Sequence, residues 1–175
     1  IIRGETSNAL DKLFVRNISS NDEEEIIFSD ETVCVPGVSL IQKNRDTNEV
    51  YLSYSSPKTP SRIYKYNLLN KSKELIKEQE IPSGHNKDDY IVERVDYKSH
   101  DGRLVPLTII RHKKTKTDGT ANLLLYGYGS YGHSLSPSFS STKLSLINRG
   151  IIWATAHIRG GMEKGMKWWK EGKLT

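Results

Sequence analysis

The sequence is short of several residues and patterns that would point to a function. It has one cysteine, Cys34, among 175 residues, which excludes a disulfide framework and any cysteine-rich metal site. Its five histidines, His85, His100, His112, His133 and His157, lack metal-ligand spacing, so surface or hydrogen-bonded roles are expected and no metal or cofactor is called for. No signal peptide and no apolar run near the ~18 residues of a membrane span is present. A membrane partner is therefore not expected, and one unpaired thiol suits a reducing, cytoplasmic setting. No serine sits in a Gly-x-Ser-x-Gly elbow, and no Asp or Glu occurs between Asp118 and Glu163. The chain starts at Ile1 rather than Met and reads as a segment of a longer polypeptide.

Basic residues are not scarce: the net charge is +5. They are scattered, however, over Arg111–Lys116 and over Lys164, Lys167, Lys170 and Lys173. The first group lies with Thr117-Asp118-Gly119 between two apolar runs, where a solvated connector is expected. No nucleic-acid partner is predicted from this distribution.

The pattern changes near residues 80–90. Before that point, short alternating runs are separated by polar turns. Lys12–Asn17 and Glu25–Ser29 are possible strands, followed by Val38–Gln42, Glu49–Tyr54, Arg62–Asn67 and Glu74–Gln79. Connectors rich in Asn, Asp, Ser and Pro join the last four, as in one blade of a β-propeller or a meander of a β-sandwich. Ile81–Asp89 is a polar linker. Beyond it, Tyr90–Tyr97 and Leu104–Arg111 flank Asp101-Gly102, a hairpin signal. Ala121–Tyr126 is continuously apolar, the mark of a strand buried on both faces. Pro137–Arg149 suits a helix with Phe139, Leu144 and Ile147 on its inner side, and Gly150–Ile158 is a second buried strand. Strand, helix and strand at this spacing make a βαβ crossover and hence a parallel sheet. Met162–Gly172 suits a further short helix.

The run Tyr126-Gly127-Tyr128-Gly129-Ser130-Tyr131-Gly132 ends the first of these buried strands, and Arg159-Gly160-Gly161 ends the second. Glycines there let backbone approach a ligand closely, and tyrosines place phenolic donors beside it. Gly127-x-Gly129-x-x-Gly132 has the dinucleotide spacing, but Tyr128 and Tyr131 crowd the pyrophosphate position and no ribose-binding acid follows. Only an NADP version, with Arg159 at the 2′-phosphate, stays open. Gly160–Gly165 has the spacing of a phosphate-binding loop, yet Met166 stands where the lysine belongs. Ser130 fails as an elbow nucleophile because Tyr128 precedes it by two. Tyr128 reads either as a neutral phenol that stabilises a developing oxyanion or as a ring packed over a strand end.

Taken together with Arg149-Gly150 and His157-Ile158-Arg159-Gly160-Gly161, the glycine-tyrosine run resembles the prolyl oligopeptidase family, particularly its oligopeptidase B (bacterial protease II) branch. Tyr54-Ser55-Ser56-x-x-x-Pro60 and Ile81-Pro82 resemble the end of that family's propeller, and Val95–Arg111 resembles the strands entering its hydrolase domain. The resemblance implies that residues 1–85 are the C-terminal part of a β-propeller. Residues 86–175 would then be the N-terminal portion of an α/β-hydrolase peptidase domain. It also implies a serine-type endopeptidase that cuts short peptides after Lys or Arg, with Tyr128 as oxyanion donor and Tyr131 lining the substrate cleft. Arg159 is placed, on the same basis, among the substrate-binding residues. The nucleophilic serine and its Asp and His would lie on a hydrolase segment outside this sequence, so the chain alone is expected to be inactive. Met162 departs from the family's Arg-Gly-Gly-Gly-Glu, and a side chain there is expected to disturb the loop. The alternatives are a non-catalytic β-rich interaction module, a relic, or the NADP-binding domain.

Overall fold

A computed structural model of the chain describes residues 1–28, 31–40 and 47–173. The first sheet joins β1 (Ile2–Ser7), β2 (Leu10–Arg16) and β3 (Glu23–Glu25), all antiparallel. Asn8 and Ala9, at φ 51° and 59°, form the two-residue turn between β1 and β2, whose positive φ values match the twist of a hairpin. No strand was expected over β1. Its sequence, Ile-Arg-Gly-Glu-Thr-Ser, alternates too weakly to announce itself, and pairing with β2 decides its conformation.

The second sheet is a four-stranded meander of β4 (Val35–Leu40), β5 (Glu49–Ser55), β6 (Arg62–Asn67) and β7 (Lys73–Glu78), each antiparallel to the next. The last three lie within a residue of their predicted positions. β4 starts earlier than predicted, running through Pro36 and Gly37. It is an edge strand, where a proline without its N–H is tolerated. The predicted strand ends at Ser29 and Gln42, and most of the predicted turn Lys43–Asn48, lie outside the described residues. Leu13 and Ile26 of the first sheet region pack with Leu52 and Tyr66 of the second, surrounded by Val15, Phe28, Val50 and Leu68. Each such buried side chain contributes about 1.5–3 kcal/mol, and together they weld the two sheets.

A buried carboxylate ties the loops above this core. Tyr54 Oη donates to Glu31 Oε2 at 2.8 Å and Thr59 Oγ1 donates to Glu31 Oε1 at 2.7 Å. Burial opposes the charge on Glu31, but hydrogen bonds from Ser56, Thr59 and Tyr54 outweigh it and lower its pKa. A carboxylate with a lowered folded-state pKa stabilises the fold above its unfolded pKa and loses that contribution as pH falls through the folded value. Glu31→Gln should therefore destabilise the chain by about 1–3 kcal/mol at neutral pH, with a smaller difference in acid. Urea melts of both proteins at pH 7 and pH 3 check this, and an equal gap at both pH values would refute it. Cys34 lies nearby as a free thiol, pushed up to about 11 chiefly by burial, so it is a poor nucleophile.

The third sheet has the order β10-β11-β9-β8. β8 (Tyr90–Lys98) and β9 (Leu104–His112) form the expected hairpin, with Gly102 at φ 80° in its turn. β10 (Leu123–Gly127) and β11 (Ile152–Ala156) are parallel and joined through α1 (Ser141–Ile147), the predicted crossover. β9 is antiparallel to β11, so the sheet is mixed rather than parallel throughout. The helix is shorter than predicted because Ser140 caps it, its hydroxyl accepting from Lys143 N, an arrangement that sets the first turn. Leu144 and Ile147 of α1 pack on Tyr90 and Ile110, with Phe139, Val92 and Trp153 around them. A second short helix, α2 (Met166–Lys170), occupies the middle of the predicted Met162–Gly172.

β10 departs most from expectation. Instead of being buried on both faces it is an edge strand, with Leu123 57% and Leu125 61% exposed. Side chains alternate across a strand, and α1 covers the face bearing Trp153 and Ile110. The opposite face, carrying Leu123 and Leu125, has no covering helix among the described residues. No helix among those residues is long and apolar enough to cross a membrane.

Candidate functional site

The two glycine-bearing loops leave the C-terminal ends of β10 and β11, neighbouring parallel strands, which is where open α/β sheets place their ligands. They touch backbone to backbone. Gly132 N donates to Gly160 O at 2.8 Å, and a Cβ added to Gly160 would lie 1.9 Å from Gly129 O. A Cβ on Gly129 would lie 2.6 Å from Arg159 O. Gly129, Tyr131 and Gly132 all have positive φ, at 64°, 56° and 70°. For a tyrosine that conformation is unfavourable by about 1–3 kcal/mol, and such strain collects at functional sites.

This geometry turns both tyrosines outward. Tyr131 is 90% exposed and Tyr128 48% exposed. The Tyr128 ring meets the edge of His133, 5.7 Å between centroids, and its hydroxyl has no hydrogen-bond partner among the described residues. Ser130, between them, accepts from His133 N through its carbonyl at 3.0 Å.

Arg159 behaves differently. Its main chain lies against Gly129, but its Nη2 pairs with Asp101 Oδ2 at 2.6 Å across the β8–β9 turn. Asp101 is held at about 2, first by its hydrogen bond from Ser99 and also by Arg103 N–H and Arg159. The NADP reading needed Arg159 as a phosphate-binding cation, and Asp101 already neutralises it. Met162 is not among the residues held at positive φ. Its Sδ lies 3.1 Å from where a Cβ on Gly132 would stand, so the thioether packs over the glycine loop without a glycine-only backbone beneath it.

Of the polar residues underneath, His157 has one of the hydrogen-bonded roles expected of the histidines, whereas Glu163 was not foreseen. His157 and Glu163 are 0% and 2% exposed. His157 Nε2 lies 2.9 Å from Thr108 Oγ1, and Trp168 Nε1 donates to His157 O at 3.0 Å. Leu135 N donates to Glu163 Oε1 at 2.9 Å, and the same oxygen faces His157 Nδ1 at 3.8 Å. Glu163 stands one residue beyond the Gly160-Gly161 turn, and that proximity was the available signal. Among the described residues no group of His, Cys, Asp and Glu could hold a metal ion.

Two small antiparallel sheets that share one apolar cluster suit the blades of a β-propeller. Residues 4–79 match the family described as "Prolyl oligopeptidase, N-terminal beta-propeller domain". The chain is 38% identical over 173 residues to dipeptidyl aminopeptidase BI of Pseudoxanthomonas mexicana, covering 97% of this chain and 23% of that protein. It is 33% identical over 135 residues to protease 2 of Moraxella lacunata, covering 77% of this chain and 20% of the relative. Among solved structures, oligopeptidase B from Trypanosoma brucei with covalently bound antipain superposes with a TM-score of 0.88 at 29% identity, over 98% of this chain and 25% of that one. The chain belongs to the prolyl oligopeptidase family. It spans about a quarter of the length of the relatives it matches.

Proposed function

We propose that this chain is part of a serine-type endopeptidase that hydrolyses short peptides after Lys or Arg. Residues 1–85 supply the end of its propeller, and residues 86–175 supply the opening portion of its α/β-hydrolase domain. The observation that carries the reading is Tyr128: a phenol whose hydroxyl has no hydrogen-bond partner among the described residues, turned outward at the C-terminal end of β10 on a strained loop. A neutral phenol there donates to the oxygen on which charge develops when a nucleophile attacks a peptide carbonyl. It adds the most where that charge is greatest, in the tetrahedral transition state.

The exposed ring of Tyr131 supplies a wall for the peptide beside the scissile bond. Arg159, paired with Asp101, fits a cleft rim whose position the β8–β9 turn controls. The nucleophilic serine and its Asp and His come, in this reading, from a hydrolase segment carried on the same or a second polypeptide. That segment has a place to dock: β10 offers an unpaired edge and the apolar face of Leu123 and Leu125, and an uncovered strand edge recruits further strands. The setting is cytoplasmic, consistent with the reduced Cys34.

The test is complementation. The chain is mixed or co-expressed with a hydrolase segment bearing the elbow serine, Asp and His, and peptide amides with Arg, Pro or Ala before the scissile bond are assayed. Hydrolysis after Arg that needs both pieces is expected. A soluble, associated but inert pair overturns the peptidase reading, and preferential cleavage after Pro overturns the Lys/Arg preference alone.

A further inference from the structure

The buried pair beneath the site loop is used by nothing so far. Glu163 meets three separated parts of the chain. Its carboxylate accepts from Leu135 N at 2.9 Å, just past the glycine-tyrosine run. It faces His157, which Thr108 anchors to the centre of the sheet. Its main-chain carbonyl accepts from Ala9 N at 2.8 Å, at the tip of the β1–β2 turn. Asn8 O in the same turn accepts from Arg94 Nη2 of β8. A buried carboxylate is unfavourable unless hydrogen-bonded or paired; burial opposes the charge on Glu163, but His157 and the Leu135 N–H outweigh it and lower its pKa.

We propose that Glu163 is a positioning residue: it fixes the loop that carries Tyr128 and Tyr131 and ties that loop to the β1–β2 turn of the propeller part. Three features support a positioning role over simple filling of space. The contact to Leu135 is directional, and it lies within the segment whose backbone is strained at Tyr131. Gly161 is the position beside it, where an added Cβ would lie 2.1 Å from Glu163 Oε2, so the turn after Arg159 is shaped around this carboxylate. His157, whose Nε2 lies 2.9 Å from Thr108 Oγ1, turns its Nδ1 toward the carboxylate at 3.8 Å. The carboxylate thus meets His157 on the sheet side while it accepts from the loop at Leu135. The rate effect of Glu163 rests on the proposed peptidase reading; its effect on loop order does not.

Two mild substitutions separate length from charge. Glu163→Asp keeps the charge and withdraws the carboxylate by one methylene, away from Leu135. Glu163→Gln keeps the length and the acceptor. Amide hydrogen exchange is measured first on the chain itself. Glu163→Asp should speed exchange at Leu135 and Gly132 at least about tenfold, and Glu163→Gln should restore most of the protection. Unchanged exchange in Glu163→Asp, or equal damage from both variants, overturns the proposal. In the complemented enzyme, Glu163→Asp should lower kcat about 10- to 100-fold with KM little altered. The same substitution should have less than about a twofold effect once Tyr128→Phe has removed the group it positions. An undiminished effect in that background means that Glu163 does not act through Tyr128. If the complemented pair is inert, the peptidase reading fails and the exchange result alone decides the positioning role.

Discussion

Replacing Gly160 with alanine is expected to destabilise the chain by more than about 3 kcal/mol and to separate the two site loops. Two effects add. The position has φ 91°, where a side chain is unfavourable by about 1–3 kcal/mol. The new Cβ would also lie 1.9 Å from Gly129 O, and a main-chain carbonyl, unlike the end of a flexible side chain, cannot swing away. Gly150→Ala is the control. Gly150 has nearly the same φ, 89°, but nothing within 4 Å of an added Cβ, so only the backbone effect remains, about 1–3 kcal/mol. Urea unfolding of the two variants isolates the close approach as their difference. Equal losses would show that the loops part without consequence.

Tyr128→Phe is expected to leave stability nearly unchanged, because the hydroxyl has no partner among the described residues. In the complemented peptidase the same change should lower kcat about 100- to 1000-fold, the usual effect of deleting one oxyanion donor, and leave KM within a few-fold. Steady-state kinetics on a single Arg peptide amide, with unfolding curves beside them, make the comparison. A rate near wild type removes Tyr128 from the oxyanion role and returns it to a ring packed against His133.

The sequence made the architecture legible where the pattern is local. β5 alternates, β6 and β7 are set off by turn-forming connectors, and the Asp101-Gly102 hairpin needs only its own residues. α1 announced its inner face through Leu144 and Ile147, though not that Ser140 would shorten it. β1 has almost no apolar pattern and owes its form to β2. β10 has the composition of a central strand but stands at an edge, because burial depends on what lies beside a strand and not on the strand alone. The glycine-tyrosine loop stood out as a motif, and the family resemblance rested on it. Its supports did not stand out: Asp101 looked like a turn residue, and Thr108, His157 and Glu163 gain meaning only when β9, β11 and the turn after Arg159 come together.

The hydrogen bond from Ala9 to Glu163 joins residues roughly 150 positions apart in the chain, and closing so long a loop is entropically unfavourable and slow compared with forming a hairpin. The meander of β4–β7 and the β8–β9 hairpin can form from neighbours in sequence, whereas this link waits until residues 9 and 163 are both in place. The tie between the β1–β2 turn and the turn after Arg159 is therefore expected to form later than the local hairpins. A chain without Glu163 would lack both the carbonyl that accepts from Ala9 and the carboxylate that accepts from Leu135, so the order of the loop reports on a residue far beyond it in synthesis.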